Sequence, residues 1–243
     1  MKNAFVKTIC ILAAAAAVLG CNNAAKRQAA AEKALADSLA AVEAAAAEKA
    51  EAEKKEKQAV QTLATLPEEP VFDIVTTLGT IKVKLYSKTP KHRANFAKLA
   101  LAGYYDSLLF HRVINGFMIQ GGDPTTRDTL VELYGTGGPD YTIPAEFVKE
   151  YKHKKGALAA ARRGDAANPM KESSGSQFYI VQDPETCSQL DGAYTVFGET
   201  VDGLPVIDKI AAVRTDRYDR PLNPVRIISI RPDAALNKQQ QQN

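Results

Sequence analysis

The chain lacks tryptophan and contains only three cysteines in 243 residues. Cys10 lies within an apolar N-terminal run and Cys21 ends that run, so only Cys187 falls in the region that reads as globular. A disulfide within the mature protein is not expected, because Cys21 and Cys187 would have to pair across a long helical spacer. The sequence therefore predicts a fold held together without an intramolecular disulfide.

A large charge of one sign and a cluster of metal ligands are also missing. The formal net charge is +3, and Lys2 and Lys7 lie in a segment that we expect to be removed. The mature chain is then nearly neutral, which gives no indication of nucleic-acid binding. A metal site is not expected, because Cys187 is isolated and the histidines lack ligand spacing. The histidines are His92, His111 and His153.

The N-terminus has no apolar run long enough to cross a bilayer comfortably. Thr8 to Leu19 follows two lysines and has the length and charge of a secretory signal. The residues Val18-Leu19-Gly20-Cys21 resemble a bacterial lipobox, which implies cleavage after residue 20 and acylation of Cys21. We therefore expect an extracytoplasmic protein, lipid-anchored to a bacterial membrane in the periplasm or at the cell surface. An ordinary signal peptide with an incidental cysteine, or an uncleaved anchor, is the alternative.

Glycine and proline are absent from Ala24 to Thr65, where Ala, Glu, Lys and Gln dominate. This composition predicts a long helix within a segment of residues 21–70. Leu35, Leu39 and Val42 follow a heptad seam, but charged residues interrupt the seam further on. A semi-rigid spacer and a weak homo-oligomer through residues 24–65 both stay open.

From Val71 the pattern is mainly β. Residues 71–76 and 80–85 alternate with period two around a turn, which predicts a hairpin. Thr89-Pro90 opens a predicted helix that Gly103 ends, and a second helix is predicted over 204–213. Further strands are predicted over 156–161, 177–182, 195–199 and 225–231. Eight short strands with two helices predict a closed antiparallel barrel capped at its ends, over residues 71–232. Residues 233–243 lack apolar periodicity and are predicted to be disordered.

Residues Phe110–Asp123 concentrate different side-chain chemistries. Asn115-Gly116 favours a type I′ hairpin. Two strands folded back at this turn would bring together a cation, two large apolar side chains and a carboxamide. These side chains are Arg112, Phe117, Met118 and Gln120.

The stretch Phe110–Asp123 reads Phe-His-Arg-Val-Ile-x-Gly-Phe-Met-x-Gln-Gly-Gly-Asp, which resembles the signature of the cyclophilins, the cyclosporin-type peptidyl-prolyl cis-trans isomerases. Further resemblances follow in the family's order. They lie at Gly135–Gly138, Gly156–Arg162, Gly175–Ile180 and Leu190–Gly198. Together they extend from Val71 to about Pro232, and the resemblance implies the cyclophilin fold, which agrees with the barrel that the strand pattern predicts.

The resemblance also implies a site. Arg112 corresponds to the catalytic residue, and Gln120 and Phe117 complete the catalytic set. The remaining positions would bind the proline and the peptide around it, and the reaction needs no cofactor or metal. The predicted substrate-binding residues are Met118, Gly137, Ala161, Arg162, Gln177, Tyr179, Leu190 and Tyr194.

The sequence departs from the family pattern at several positions. Gln189 stands where many members have tryptophan, so we expect reduced affinity for cyclosporin. Tyr179 stands where the family usually has phenylalanine. The predicted function is isomerisation of proline-containing polypeptides during the folding of exported proteins. The alternatives are a non-catalytic proline-peptide-binding or chaperone module on the same fold, or a protein whose long helix is the functional part.

Overall fold

The computed structural model describes residues 24–242, so Cys21 and the predicted signal segment lie outside the described residues. The chain divides into two compact units, Met1–Glu51 and Ala52–Asn243. In the described part of the chain, no helix is both long enough and apolar enough to cross a membrane.

Helix α1 follows the alanine-rich segment, as the absence of helix breakers predicts. It extends over Ala24–Leu63. In the first unit, Leu35, Leu39 and Val42 have exposed fractions of 54%, 54% and 65%. The seam is solvent-exposed, and self-association of this helix stays a prediction.

The second unit is built from an antiparallel sheet with short helices. The strands are β1 (Val71–Thr76), β2 (Gly79–Leu85), β3 (Arg112–Ile114), β4 (Met118–Gly121), β5 (Thr142–Ile143), β6 (Ala157–Ala160), β7 (Ser173–Ser174), β8 (Phe178–Val181), β9 (Val196–Asp202) and β10 (Ile227–Pro232). The other helices are α2 (Pro90–Leu101), α3 (Pro184–Cys187), α4 (Leu204–Ala211) and α5 (Ala234–Gln242). The two predicted helices and the predicted strands are therefore present, while α3, α5 and the small β5-β7 sheet were not predicted.

The predicted closed barrel is wrong. The eight strands of the main sheet run in the order β10-β1-β2-β9-β6-β8-β4-β3, which gives a curled half-barrel with β3 and β10 at its edges. Loop main chain crosses the gap between these edges, as in the hydrogen bond from the Phe110 N–H to the Val225 carbonyl (2.9 Å). The segments that meet there are irregular, so no continuous ladder forms between the edges.

The concave side of the sheet holds the main core. Phe96 of α2 lies at its centre, with its ring 5.5 Å from that of Phe178 and 5.7 Å from that of Phe197. Ile207 and Ile210 of α4 are also fully buried in this cluster. The two helices thus cover the concave side, and the convex face of β3, β4, β8 and β6 carries a separate apolar cluster.

Both ends of the second unit differ from the predicted boundaries. Ala59 is buried, and Leu63 and Leu66 pack against the main core, so the compact unit begins before Val71. The predicted disordered tail is also wrong, because Ala234–Gln242 form helix α5. Asn237 fixes that helix: its side chain accepts from the Val71 N–H (2.7 Å) and donates to the Val71 carbonyl (2.9 Å).

Candidate active site

The β3-β4 hairpin places the predicted catalytic residues on one face of the sheet. Arg112 is the register partner of Gln120, and Val113 is the partner of Ile119. Val113 and Ile119 are buried in the main core, so the alternation of side chains puts Arg112 and Gln120 on the convex face. Gln120 in turn pairs with Tyr179 of β8, which extends the same face across a third strand.

The hairpin turn differs from the predicted type I′. Ile114 pairs with Met118, which leaves a three-residue loop, and the Phe117 N–H donates to the Ile114 carbonyl at 3.1 Å. Gly116 has a φ of 78°, but Asn115 is not in the left-handed region that a type I′ turn requires at both positions. The extra residue is Phe117, whose side chain packs against the convex cluster.

Arg112 is half-exposed and lies beside an acidic side chain. Its Nε lies 3.5 Å from a carboxylate oxygen of Asp219, and both side chains have an exposed fraction of 43%. The terminal nitrogens of the guanidinium have no partner among the described residues. Asp219 itself is held in the left-handed region (φ 61°), and its carbonyl accepts from the Val113 N–H at 2.8 Å. The guanidinium is therefore held from one edge and keeps its other donors for a ligand.

Gln120 and Gln177 form a hydrogen-bonded chain beside Arg112. Gln120 Nε2 donates to Gln177 Oε1 at 3.0 Å, and Gln177 Nε2 donates to the carbonyls of Gly135 (3.1 Å) and Gly137 (2.7 Å). The buried carboxylate of Asp123 holds the same loop, because it accepts from the N–H groups of Gly135 and Gly137. The glycine loop is thus fixed to the sheet through Gln177, and it binds a buried carboxylate of the protein itself.

An apolar surface lies next to these polar groups. Met118, Tyr179 and Ala161 are its buried members, with exposed fractions of 2%, 4% and 9%. Three half-buried side chains pack on them and complete an apolar patch, which we call the slot. These are Phe117, Leu190 and Tyr194.

Arg162 does not project into solvent. Its side chain is only 4% exposed, and its guanidinium carbon lies 4.2 Å from the centroid of the Tyr194 ring. Its Nε donates to the Ala193 carbonyl at 2.9 Å, which fixes the segment that carries Tyr194. The side chain of Arg162 is therefore a support for the slot wall.

A groove of about 730 Å³ continues from the polar side of the slot. Gln120, Gln177, Gly137, Ala161 and Arg162 contribute to its lining, so five of the predicted residues border one space. The structure brings the predicted residues of the second unit together on this face. Cys21, the predicted lipidation site, lies outside the described residues.

Sequence reasoning missed three residues at this site. Asp219 contacts Arg112, and His153 and Asp191 form a chain of hydrogen bonds behind Tyr179. Asp191 lies within the Leu-Asp-Gly motif, but no local pattern connects it with His153, 38 residues away.

His111, beside Arg112 in sequence, is buried and has no hydrogen-bond partner for either ring nitrogen among the described residues. Burial lowers the pKa of His111 to about 4.

Comparison with known proteins gives a consistent result. Residues 71–231 match the sequence profile described as "Cyclophilin type peptidyl-prolyl cis-trans isomerase/CLD". Peptidyl-prolyl cis-trans isomerase CYP18-2 of Arabidopsis thaliana is 38% identical over 162 residues, covering 65% of this chain and 91% of the relative. Peptidyl-prolyl cis-trans isomerase-like 1 of Homo sapiens is 35% identical over 175 residues, covering 70% of this chain and 99% of the relative.

Solved structures agree with the sequence relatives. The crystal structure of a cyclophilin-type peptidyl-prolyl cis-trans isomerase of Cryptosporidium parvum aligns with a TM-score of 0.61 at 31% identity. The alignment covers 68% of this chain and 98% of that one. A second structure of the same protein, determined in the presence of the dipeptide ala-pro, aligns with a TM-score of 0.60.

Proposed function

The chain belongs to the family of cyclophilin-type peptidyl-prolyl cis-trans isomerases, and we propose that it assists the folding of exported proteins while a lipid on Cys21 holds it at a bacterial membrane. One observation carries the assignment of the reaction to particular residues. Arg112 projects from β3 onto the face that Gln120, Met118 and Tyr179 share.

The reaction requires rotation about a peptide bond without any bond being made or broken. The barrier is about 18–20 kcal/mol, because amide resonance is lost as the bond twists. In the twisted state the prolyl nitrogen is pyramidal and its lone pair is free to accept a hydrogen bond. A site that binds this state more tightly than either planar isomer accelerates the rotation.

The arrangement on the convex face fits that requirement. The half-exposed guanidinium of Arg112 would donate to the prolyl nitrogen, and the slot formed by Met118, Phe117 and Leu190 would hold the ring. Arginine stays charged at all physiological pH values and presents a planar fork of donors. Gln120, fixed by Gln177, lies across from Arg112 and would orient the peptide backbone. No proton is transferred, and no cofactor is required.

Replacement of Arg112 tests the assignment. We expect Arg112→Ala to lower kcat/KM about 100-fold or more, since a charge-assisted hydrogen bond made mainly in the transition state contributes roughly 3 kcal/mol. The measurement is a protease-coupled isomerisation assay on a proline tetrapeptide. Arg226→Ala, which removes an exposed arginine elsewhere in the same unit, is the control. Equal rates for wild type and Arg112→Ala would defeat the assignment.

The same assay separates the isomerase from a non-catalytic module on the same fold. A module of that kind would bind proline peptides in the groove, and its Arg112→Ala variant would lose binding without any change in rate over the uncatalysed reaction.

Gln189 is exposed and donates to the Thr186 carbonyl at 3.1 Å, and a glutamine offers no aromatic surface to cyclosporin. Reduced cyclosporin affinity stays a prediction, which inhibitor titration tests.

The lipid anchor rests on the lipobox and the signal-like segment before it. A cysteine that carries a diacylglyceryl group and an N-acyl chain would meet the requirement of more than one chain for stable attachment. Expression of the full chain with a labelled fatty acid should label the wild type and leave Cys21→Ser unlabelled and unprocessed. Fractionation of the same cells would then identify the membrane that holds the protein.

A further inference from the structure

Tyr179 of the slot forms a continuous chain of hydrogen bonds with His153 and Asp191. The hydroxyl of Tyr179 lies 2.8 Å from Nε2 of His153, and Nδ1 of His153 lies 2.7 Å from a carboxylate oxygen of Asp191. The two rings are nearly parallel, with an interplanar angle of 8°. The side chain of His153 is fully buried, and Tyr179 is 4% exposed.

The chemistry of the chain fixes the direction of each hydrogen bond. Burial raises the pKa of Asp191, but contacts with His153 oppose this effect and hold the pKa below its usual range. The carboxylate can therefore only accept hydrogen bonds. Nδ1 of His153 therefore carries the proton, and Nε2 is left as an acceptor for the tyrosine hydroxyl. Burial also lowers the pKa of His153, which keeps the ring neutral.

We propose that His153 is a positioning residue, which holds the hydroxyl of Tyr179 away from the slot so that only the ring carbons face the proline. A tyrosine at this position brings a polar atom to a surface that has to bind an apolar ring. A buried hydroxyl without a partner is costly, so the side chain would rotate to bring the hydroxyl to solvent. His153 gives the hydroxyl a partner within the protein, and Asp191 fixes the tautomer that can accept. This role rests on the isomerase function proposed above.

A double-mutant cycle tests this role. His153→Leu leaves the buried hydroxyl without a partner. We therefore expect kcat/KM to fall about tenfold, the equivalent of one unsatisfied buried group, mainly through a higher KM. Tyr179→Phe removes the hydroxyl itself and supplies the reference rate for the double variant. The double variant should recover most of the activity that His153→Leu loses. A loss that came only from a packing defect at residue 153 would not be rescued.

A second buried tyrosine provides the matched control. Tyr105 lies in the main core, and its hydroxyl is 3.4 Å from the Ser176 carbonyl. Tyr105→Phe combined with His153→Leu should remain as impaired as His153→Leu alone. The proposal is overturned if His153→Leu keeps the wild-type KM, or if the Tyr179→Phe double variant is as slow as His153→Leu.

The tautomer can be read without any assay of activity. ¹⁵N NMR of the wild type should show His153 neutral near pH 7 with the proton on Nδ1. A proton on Nε2 would overturn the proposal even if the variants failed to fold. A wild-type protein that does not isomerise any proline peptide would instead refute the proposed function, and the tautomer result would be unaffected.

Discussion

Arg112 is one of the residues whose setting decides whether the site works. Asp219 contacts only its Nε, at 3.5 Å, and sits in a left-handed conformation that glycine and asparagine tolerate well. The turn that carries Asp219 is fixed by hydrogen bonds that do not involve the Asp219 side chain, including those that the Asp216 carboxylate accepts from the N–H groups of Tyr218 and Arg220. The side chain of Asp219 can therefore be removed while the turn is kept.

We expect Asp219→Gly to lower kcat/KM about two- to fivefold, because a half-exposed ion pair contributes less than about 1 kcal/mol to holding the guanidinium. Asp219→Asn keeps a polar oxygen beside Nε and should stay within about twofold of wild type. Steady-state kinetics on one peptide measures both. A larger loss in the asparagine variant than in the glycine variant would contradict the positioning role.

His111 makes stability depend on pH. The unfolded histidine has a pKa of about 6.5, and burial lowers the pKa of the folded one to about 4, while Asp123 opposes the shift and Arg112 and Arg220 add to it. Unfolding therefore takes up a proton between these pH values, so stability is lost as pH falls from about 6.5 to 4. His111→Leu should flatten this part of the profile by up to roughly 3 kcal/mol in the free energy of unfolding. Urea titrations from pH 4 to 8 measure the difference, and parallel profiles would contradict it.

Among the elements, α2 shows what a local pattern can and cannot give. Thr89-Pro90 marks its start correctly, but the Thr89 side chain makes no cap hydrogen bond. The cap comes from Glu146, which accepts from the N–H groups of Lys91 and His92, both at 3.0 Å. Glu146 also accepts from Nδ1 of His92 at 2.7 Å. The free N–H groups at the start of α2 thus donate to a residue in a loop that lies more than fifty residues later in the chain.

Removal of this distant cap should destabilise the second unit. We expect Glu146→Ala to lower the free energy of unfolding by about 2–3 kcal/mol, because it removes a helix cap and leaves Nδ1 of the buried His92 without its partner. Glu150→Ala, which breaks the exposed pair with Lys88, is the control and should have a much smaller effect. Chemical denaturation compares the two, and similar losses would show that Glu146 is not a cap.

At the scale of the whole molecule, the catalytic unit is larger than its sequence signature. The signature begins near Val71, but Leu63 and Leu66 pack on the main core and Ala59 is buried. At the other end, Gln241 donates to the Thr65 carbonyl at 2.7 Å. The last turns of α1 and helix α5 therefore belong to the same compact unit as the sheet.

A truncation that follows the signature should consequently be less stable than one that follows the compact unit. We expect the free energy of unfolding to be about 2–4 kcal/mol lower for residues 71–243 than for residues 52–243, because two leucines that pack on the core are removed. Isomerase activity under native conditions should be the same in both, since none of the removed residues lies at the site. Denaturation midpoints and peptide kinetics measure these quantities. Equal midpoints would show that α1 contributes nothing to the unit.

Local pattern in the sequence determined the strands of the main sheet, the helices α1, α2 and α4, and the hairpin that carries Arg112, whereas the other site residues were implied by the resemblance to the cyclophilins. Alternation alone does not put Arg112 and Gln120 on one face, because a two-residue turn would pair Arg112 with Ile119, whereas the three-residue loop pairs it with Gln120. The tertiary structure alone decided that the sheet stays open, that α5 forms on Val71, and that His153 lies behind Tyr179. Each of these depends on hydrogen-bond partners far away in the sequence, such as Asn237 and Val71, 166 residues apart. Such pairings depend on how the whole chain folds, and no local periodicity records them.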